Sequence, residues 1–362
     1  MHTATLLSDG KVLVIGGEVH GSSGISQALS SAEIYDPATR TFSPAGSLHV
    51  PRLGHCAVAL PNGTVAVLGG WTLVNGNGTL LSQVEAWNPT TKTFTVLGST
   101  LSPHPGGQAF LRPDGRIQVV GGYDHSATVT SDTYKTEIFD PASGTSQYDF
   151  ALTEVEENAT LIPLDASRFM LLGGENGLGG WHQLDLAALY TTDGSLPNPA
   201  AGGTLPYPFT GGAGVNLPSG KVVVAGGLSY SLPVNVSNTA GYIAEATVLD
   251  YKNVPSTMIT IRLSKGRMRH QAVLFPDGTI GLVGGETFTG RIDTEFLDDI
   301  EIVDLDKSTT SILPAKLSTP RTHHTLTTLK DGTHLIVGGY HYDPSISDNR
   351  ASTGSCDLLV FQ

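Results

Sequence analysis

Histidine recurs in this chain at one spacing. His2, His55, His270 and His324 each stand fourteen residues before a Gly-Gly pair, and the same offset reaches Gly107 and Gly212 in two further repeats. In a seventh repeat, where the turn Asp165-Ala-Ser-Arg168 reads as one residue longer, the offset reaches Asn158. Imidazoles with ordinary pKa values near 6.5 suit proton transfer or metal ligation. Aromatic and acidic side chains follow the glycine pairs directly: Trp71, Tyr123, Glu175, Glu286 and Tyr340, with His341 next. Arg52, Arg269 and Arg321 precede the histidine positions and have the fork geometry that holds a carboxylate. Glu157 borders the same stretch. If these groups converge, His55, His270 and His324 transfer protons with help from Tyr340 or Tyr123. Arg52, Arg269 and Arg321 then bind an anionic group, and Glu157, Asn158, Trp71, Glu175, Glu286 and His341 complete the substrate contacts. The opposing reading is structural: a need that repeats with the scaffold belongs to packing, whereas a catalytic need does not repeat, and buried histidines are normally hydrogen-bonded.

Positioning these groups falls to a repeat. An apolar strand ending in two glycines occurs seven times, with first glycines at Gly16, Gly69, Gly121, Gly173, Gly226, Gly284 and Gly338. That period suits a four-stranded sheet with its loops, the blade of a propeller. Each unit opens on strand a, such as His55–Leu60, and turns through Asp-Gly, Asn-Gly or Ser-Gly into strand b. Beyond the double glycine comes a loop of about a dozen residues, judged from where alternation resumes. Strand c, such as Ala32–Asp36, stops at Asp-Pro or Asn-Pro, and a short polar strand d forms the outer edge. The expectation is an all-β, seven-bladed propeller forming one domain over residues 1–362. The sequence closes on strand c of the last unit at Asp357–Phe361. Blade 7 is therefore expected to have three strands, or to take its fourth from residues outside this sequence, and to close by apolar packing on blade 1.

Composition narrows the function. A net charge of −13 opposes binding to nucleic acid or to anionic membranes, both of which call for a basic surface. No apolar run reaches the length of a membrane span, and the first ten residues lack the regions of a signal peptide. The chain is expected to be soluble and monomeric, and intracellular as written, or secreted if a leader has been removed. Two cysteines, Cys56 and Cys356, fall in different units and suggest no disulfide. Sequons at Asn62, Asn77, Asn158 and Asn235 carry little weight in so Asn- and Thr-rich a chain.

The double glycine, the Glu-x-aromatic-Asp-Pro of strand c (Glu33–Pro37, Glu137–Pro141) and Pro51-Arg52-x-x-His55 and Pro320-Arg321-x-x-His324 resemble kelch repeats. The resemblance covers the whole chain and implies a β-propeller similar to the central domain of galactose oxidase. Its copper chemistry is not implied, because His55 and the pair His323-His324 stand where tyrosines are expected. The iron pattern of the plant specifier proteins is also missing, since Glu295 and Asp299 are followed by Val303. No cofactor and no metal are therefore assigned. The expected ligand is a polar small molecule, carbohydrate or otherwise hydroxylated or acidic, on the loop face, with non-redox lyase or epimerase chemistry if it is turned over. A non-enzymatic protein-docking propeller is the rival.

Overall fold

The computed structural model describes residues 1–20, 26–74, 77–122, 135–152, 158–176, 182–192, 203–230, 241–252, 258–288, 294–345 and 350–361. Among them there is no helix, and hence none long and apolar enough to cross a membrane. The fold is that of a seven-bladed β-propeller. Blade 1 shows the plan: Thr3–Leu6, Val12–Ile15, Ser31–Asp36 and Thr41–Ser47 pair in the order a-b-c-d, each neighbour antiparallel. Blades 2, 3, 5 and 6 repeat it. Among the described residues blades 4 and 7 have three strands each, the latter Thr325–Thr328, His334–Val337 and Cys356–Leu359.

Two compact units divide the chain. One comprises Met1–Glu157, Thr325–Gly339 and Asp343–Gln362, the other Asn158–His324 and Tyr340–Tyr342. Within the first, Val12 and Tyr35 of blade 1 pack with Leu329, Leu335 and Val337 of blade 7, the apolar contact that sequence led us to expect. Between blades 1 and 2, Leu13, Ile15, Val65, Val67, Trp87 and Phe94 form another core, and the Trp87 indole N–H donates to Ala45 O at 2.9 Å. In the second unit, Met170, Leu172, Val222 and Val224 join blades 4 and 5, while Val223, Ala225, Ile280 and Leu282 join blades 5 and 6. Alternate faces of strand b thus feed the cores on either side, which is why it reads as a continuous apolar run.

A polar side-chain clamp ties three of the described lead-ins to their blades. Arg52 has no exposed surface and reaches Glu85 of strand c at 2.7 Å and the Gln83 carbonyl at 2.8 Å. Arg267 does the same with Glu301 at 2.8 Å and Asp299 at 2.9 Å, and His104 with Glu137 at 3.0 Å. Blade 5 has Phe209 where the cation belongs and Thr247 where the acid belongs. There the phenyl ring fills the space beside Gly173, Gly212 and Gly227.

Two expectations need revision. The loops after the double glycine are built as small hairpins: Glu18–His20 with Ser26–Ala28, Trp71–Val74 with Asn77–Leu80, and Glu286–Phe288 with Thr294–Phe296. The blade 4 turn is also no longer than its siblings, because Pro163 pairs with Phe169 across the same five-residue gap as Ala59 and Val65. Asp165 accepts the Ser167 N–H at 2.9 Å and closes that turn without a glycine.

Candidate functional site

Just before strand a, every described blade lead-in after the first has a residue of positive φ at one shared position: Gly54, Gly106, Asn158, Gly211, Arg269 and His323, with His104 a second such residue in blade 3. Backbone hydrogen bonds string these residues together within each unit. In the first unit, Gly54 N–H donates to Met1 O at 3.1 Å and Gly106 N–H to Gly54 O at 2.7 Å. In the second, Gly211 donates to Asn158 at 3.5 Å, Arg269 to Gly211 at 2.9 Å, and His323 to Arg269 at 3.2 Å. Asn158, Gly211, Arg269 and His323 therefore follow one another along a collar.

In the second unit each collar residue meets the residue that follows its own blade's double glycine. Bridges Thr210↔Leu228, Met268↔Glu286 and Thr322↔Tyr340 bring the backbones side by side. The Asn158 amide donates to Glu175 Oε1 at 2.8 Å, Arg269 Nη1 to Glu286 Oε1 at 2.8 Å, and the His323 ring stands edge-on to Tyr340 with centroids 5.3 Å apart. Beside Gly211 lies half-buried Leu228. In the other unit the Trp71 indole covers Gly54, where an added Cβ would fall 2.6 Å from the ring. Glu175 and Glu286 are buried, whereas the Arg269 side chain is 37% exposed. The second unit thus presents a guanidinium with donors to spare, an imidazole and an exposed amide, each backed by a buried partner, a set able to donate to and accept from hydroxyls.

Not every expected residue reaches this collar. His55, His270 and His324 lie one residue further in and are buried at 5%, 2% and 2% exposure. Their rings wedge against the first glycine of the preceding blade, with Cε1 at 3.0 Å (Gly16), 2.8 Å (Gly226) and 3.0 Å (Gly284) from where a Cβ would be. Burial, with Arg52 nearby, holds His55 well below the usual imidazole range, and burial with Arg267 and His324 does so for His270. Arg52 and Arg321 are buried, the latter with Nε on Thr319 O at 3.2 Å, so Arg269 alone of the three arginines faces outward. Asn158 belongs to the collar rather than to the histidine position, which Ala159 takes, because Thr160↔Leu172 matches Cys56↔Leu68. Gly107 is packed against backbone oxygens within 3.1 Å, while Gly106 on the collar opens to free space. Glu175, Glu286 and Tyr340 stand where their spacing suggested, and His341 is half-buried on the strand Tyr340–Tyr342. Tyr123 and Glu157 lie outside the described residues. Sequence reasoning passed over His323, although its seventeen-residue distance to Tyr340 repeats that of Arg269 to Glu286. Among the described residues no three His, Cys, Asp or Glu side chains are placed to hold a metal.

A blade-type sheet repeated seven times with double-glycine strand ends defines a kelch-type propeller, and comparison with known proteins agrees. The family model for the kelch motif matches residues 2–49, the first of the repeats, and the fold is that of a kelch-type β-propeller. An F-box/kelch-repeat protein of Arabidopsis thaliana is 38% identical over 94 residues, 25% of this chain and 24% of that protein's length. In fold the chain is similar to a fungal alcohol oxidase of the AA5 family solved with copper: TM-score 0.64, 16% identity, 97% of this chain and 72% of that one. It is also similar to YjhT: TM-score 0.61, 14% identity, 86% of this chain and 96% of that one.

Proposed function

We propose that the loop face of the Asn158–His324 unit binds a hydroxylated small molecule of the carbohydrate or hydroxy-acid class. One observation carries this reading. Three residues with side chains, Asn158, Arg269 and His323, take positive φ at a position where the sibling lead-ins use glycine. Such a conformation is unfavourable for a residue with a Cβ and is retained where the side chain serves a purpose. Each of these side chains is also oriented by a partner after the double glycine, the pre-organisation that binding sites need. Arg269 donates to hydroxyl or carboxylate oxygen, while the buried carboxylates of Glu175 and Glu286 hold the Asn158 amide and the guanidinium in place. If the ligand is turned over, His323 and Tyr340 stand at the collar for a non-redox proton transfer, while the buried histidines hold the blades apart. Calorimetric titration with glucose, galactose and gluconate tests the reading. Binding by at least one of them, weakened tenfold or more in Arg269→Ala, is expected; equal affinity in the variant, or no binding by any of the three, overturns it.

A second reading is docking of a protein on the same face. Tyr230 and Tyr342 are 63% and 53% exposed, and exposed aromatic residues are the usual anchors of protein interfaces. A partner whose binding falls with Tyr230→Ala and Tyr342→Ala but not with Arg269→Ala favours this second reading.

A further inference from the structure

Two of the histidines behind the collar, His2 and His55, share a pattern that His270 breaks. His2 Nε2 lies 2.9 Å from Thr325 Oγ1, and His55 Nε2 lies 2.9 Å from Thr3 Oγ1. In both cases the hydroxyl belongs to the residue that opens strand a of the preceding blade, Thr325 opposite Val337 and Thr3 opposite Ile15. The corresponding residue before His270 is Ala213, opposite Ala225 in the same register. His270 is placed as its siblings are: its Cε1 lies 2.8 Å from a Cβ built on Gly226, as that of His2 does on Gly338. Its Nε2 therefore faces a methyl group where those of His2 and His55 face a hydroxyl. Among the described residues neither ring nitrogen of His270 has a hydrogen-bond partner, and the side chain is 2% exposed. A buried polar group left in that condition is unfavourable.

We infer that a hydroxyl group, from an ordered water or from the ligand itself, binds between His270 and strand a of blade 5 at Ala213. Room for it comes from Ala213 itself, half-buried and lacking the hydroxyl and methyl that Thr3 and Thr325 carry at this position, while Phe209 and Ile162 fill the space beside Gly212 and Gly214. A hydroxyl is the matching chemistry. Burial, Arg267 and His324 keep the ring neutral, so it offers one donor and one acceptor, and the Arg267 guanidinium opposes a cation there. Because Gly211 stands on the collar and Ala213 two residues inward, a ligand hydroxyl reaching past Gly211 arrives at the same place. The ligand source rests on the function proposed above; the water source does not.

Ala213→Thr supplies the hydroxyl from the protein and Ala213→Val supplies the same bulk without it, with Ala213→Ser as the smaller check. The thermal midpoint of Ala213→Thr or Ala213→Ser is expected to rise above that of Ala213→Val by about 1–2 °C for a chain of this size. The His270 Nε2 resonance should move to the range of His2 and His55 in the hydroxyl variants only. A water cross-peak at His270 in the wild type without added sugar identifies water as the source. Loss of affinity for glucose, galactose or gluconate in Ala213→Thr, with no such cross-peak, identifies the ligand. Equal midpoints for Thr, Ser and Val together with an unchanged Nε2 resonance overturn the inference, whether or not any sugar binds.

Discussion

Arg269 Nη1 stands 2.8 Å from Glu286 Oε1, seventeen residues further along the chain, with the arginine side chain 37% exposed and the glutamate 1% exposed. The pair holds a guanidinium at the collar from beneath and leaves its remaining donors facing outward. Arg269→Lys keeps the charge but loses the planar fork. We expect Arg269→Ala and Arg269→Lys both to reduce affinity for an anionic or hydroxylated ligand at least tenfold. The alanine variant should also cost about 1–2 kcal/mol of stability through the lost charge-assisted bond. Titration calorimetry and urea denaturation read the two effects separately.

Backbone conformation gives a second test, because glycine at the collar should separate stability from binding. Arg269 and His323 have φ of 54° and 55°, while Gly54 and Gly211 take 60° and 70° at the same place. His323→Gly should leave the fold as stable as the wild type or stabilise it by up to about 1 kcal/mol, relief of φ strain being offset in part by glycine's flexibility when unfolded. His323→Val, β-branched, should destabilise it by about 1–2 kcal/mol. Both should lose ligand affinity. Retained affinity in the glycine variant would place binding elsewhere.

The fold was legible because each repeat writes a backbone requirement into residue identity. Gly226 and Gly227, with φ of 65° and 104°, cannot be replaced cheaply, so the double glycine survives in every unit. The blade 4 register was misread for the complementary reason. Asp165 closes its turn with a side-chain oxygen, and the missing glycine was taken for an extra residue, which moved Asn158 one place inward. The histidines drew attention by recurring, but recurrence followed from packing against Gly16, Gly226, Gly284 and Gly338. The pairs Asn158–Glu175 and Arg269–Glu286 were visible as residues and spacing. What no pattern could tell is that a left-handed turn aims one residue outward and its neighbour in.

The clamps predict unequal effects for ion pairs that look alike in sequence. Arg52 and Glu85 are both without exposed surface at 2.7 Å, whereas Arg116 and Asp114 pair at the same distance with 36% and 40% exposure. Removing one member of a buried pair strands the other, so Arg52→Ala should cost about 3–5 kcal/mol. Arg116→Ala should cost less than about 1 kcal/mol, as surface pairs do. Urea unfolding of the two variants should differ accordingly, and near-equal midpoints would mean that the buried clamp is not what fastens the lead-in to its blade.

Acid should weaken this protein well above the pH at which its carboxylates titrate. Burial, aided by the nearby α-amino group, lowers His2 to about 3. Burial, then Arg52, the α-amino group and His2, lowers His55, and burial, then Arg267 and His324, lowers His270. A histidine whose folded pKa lies below its unfolded value of about 6.5 adds stability above that value and loses it as pH falls toward the folded pKa. Each such group then removes about 1.4 kcal/mol per pH unit between about 6.5 and its folded pKa. Carboxylates held low by a partner, Asp36 by its hydrogen bond to Lys11 and Asp304 by that to Lys307, join only below about pH 4. The unfolding free energy should therefore decline from pH 6.5 to 4.5, and His55→Gln, which removes one titrating ring, should decline less steeply by about 1.4 kcal/mol per pH unit. A flat profile over that interval in the wild type, or parallel slopes in wild type and variant, would show that these imidazoles are protonated within the folded protein.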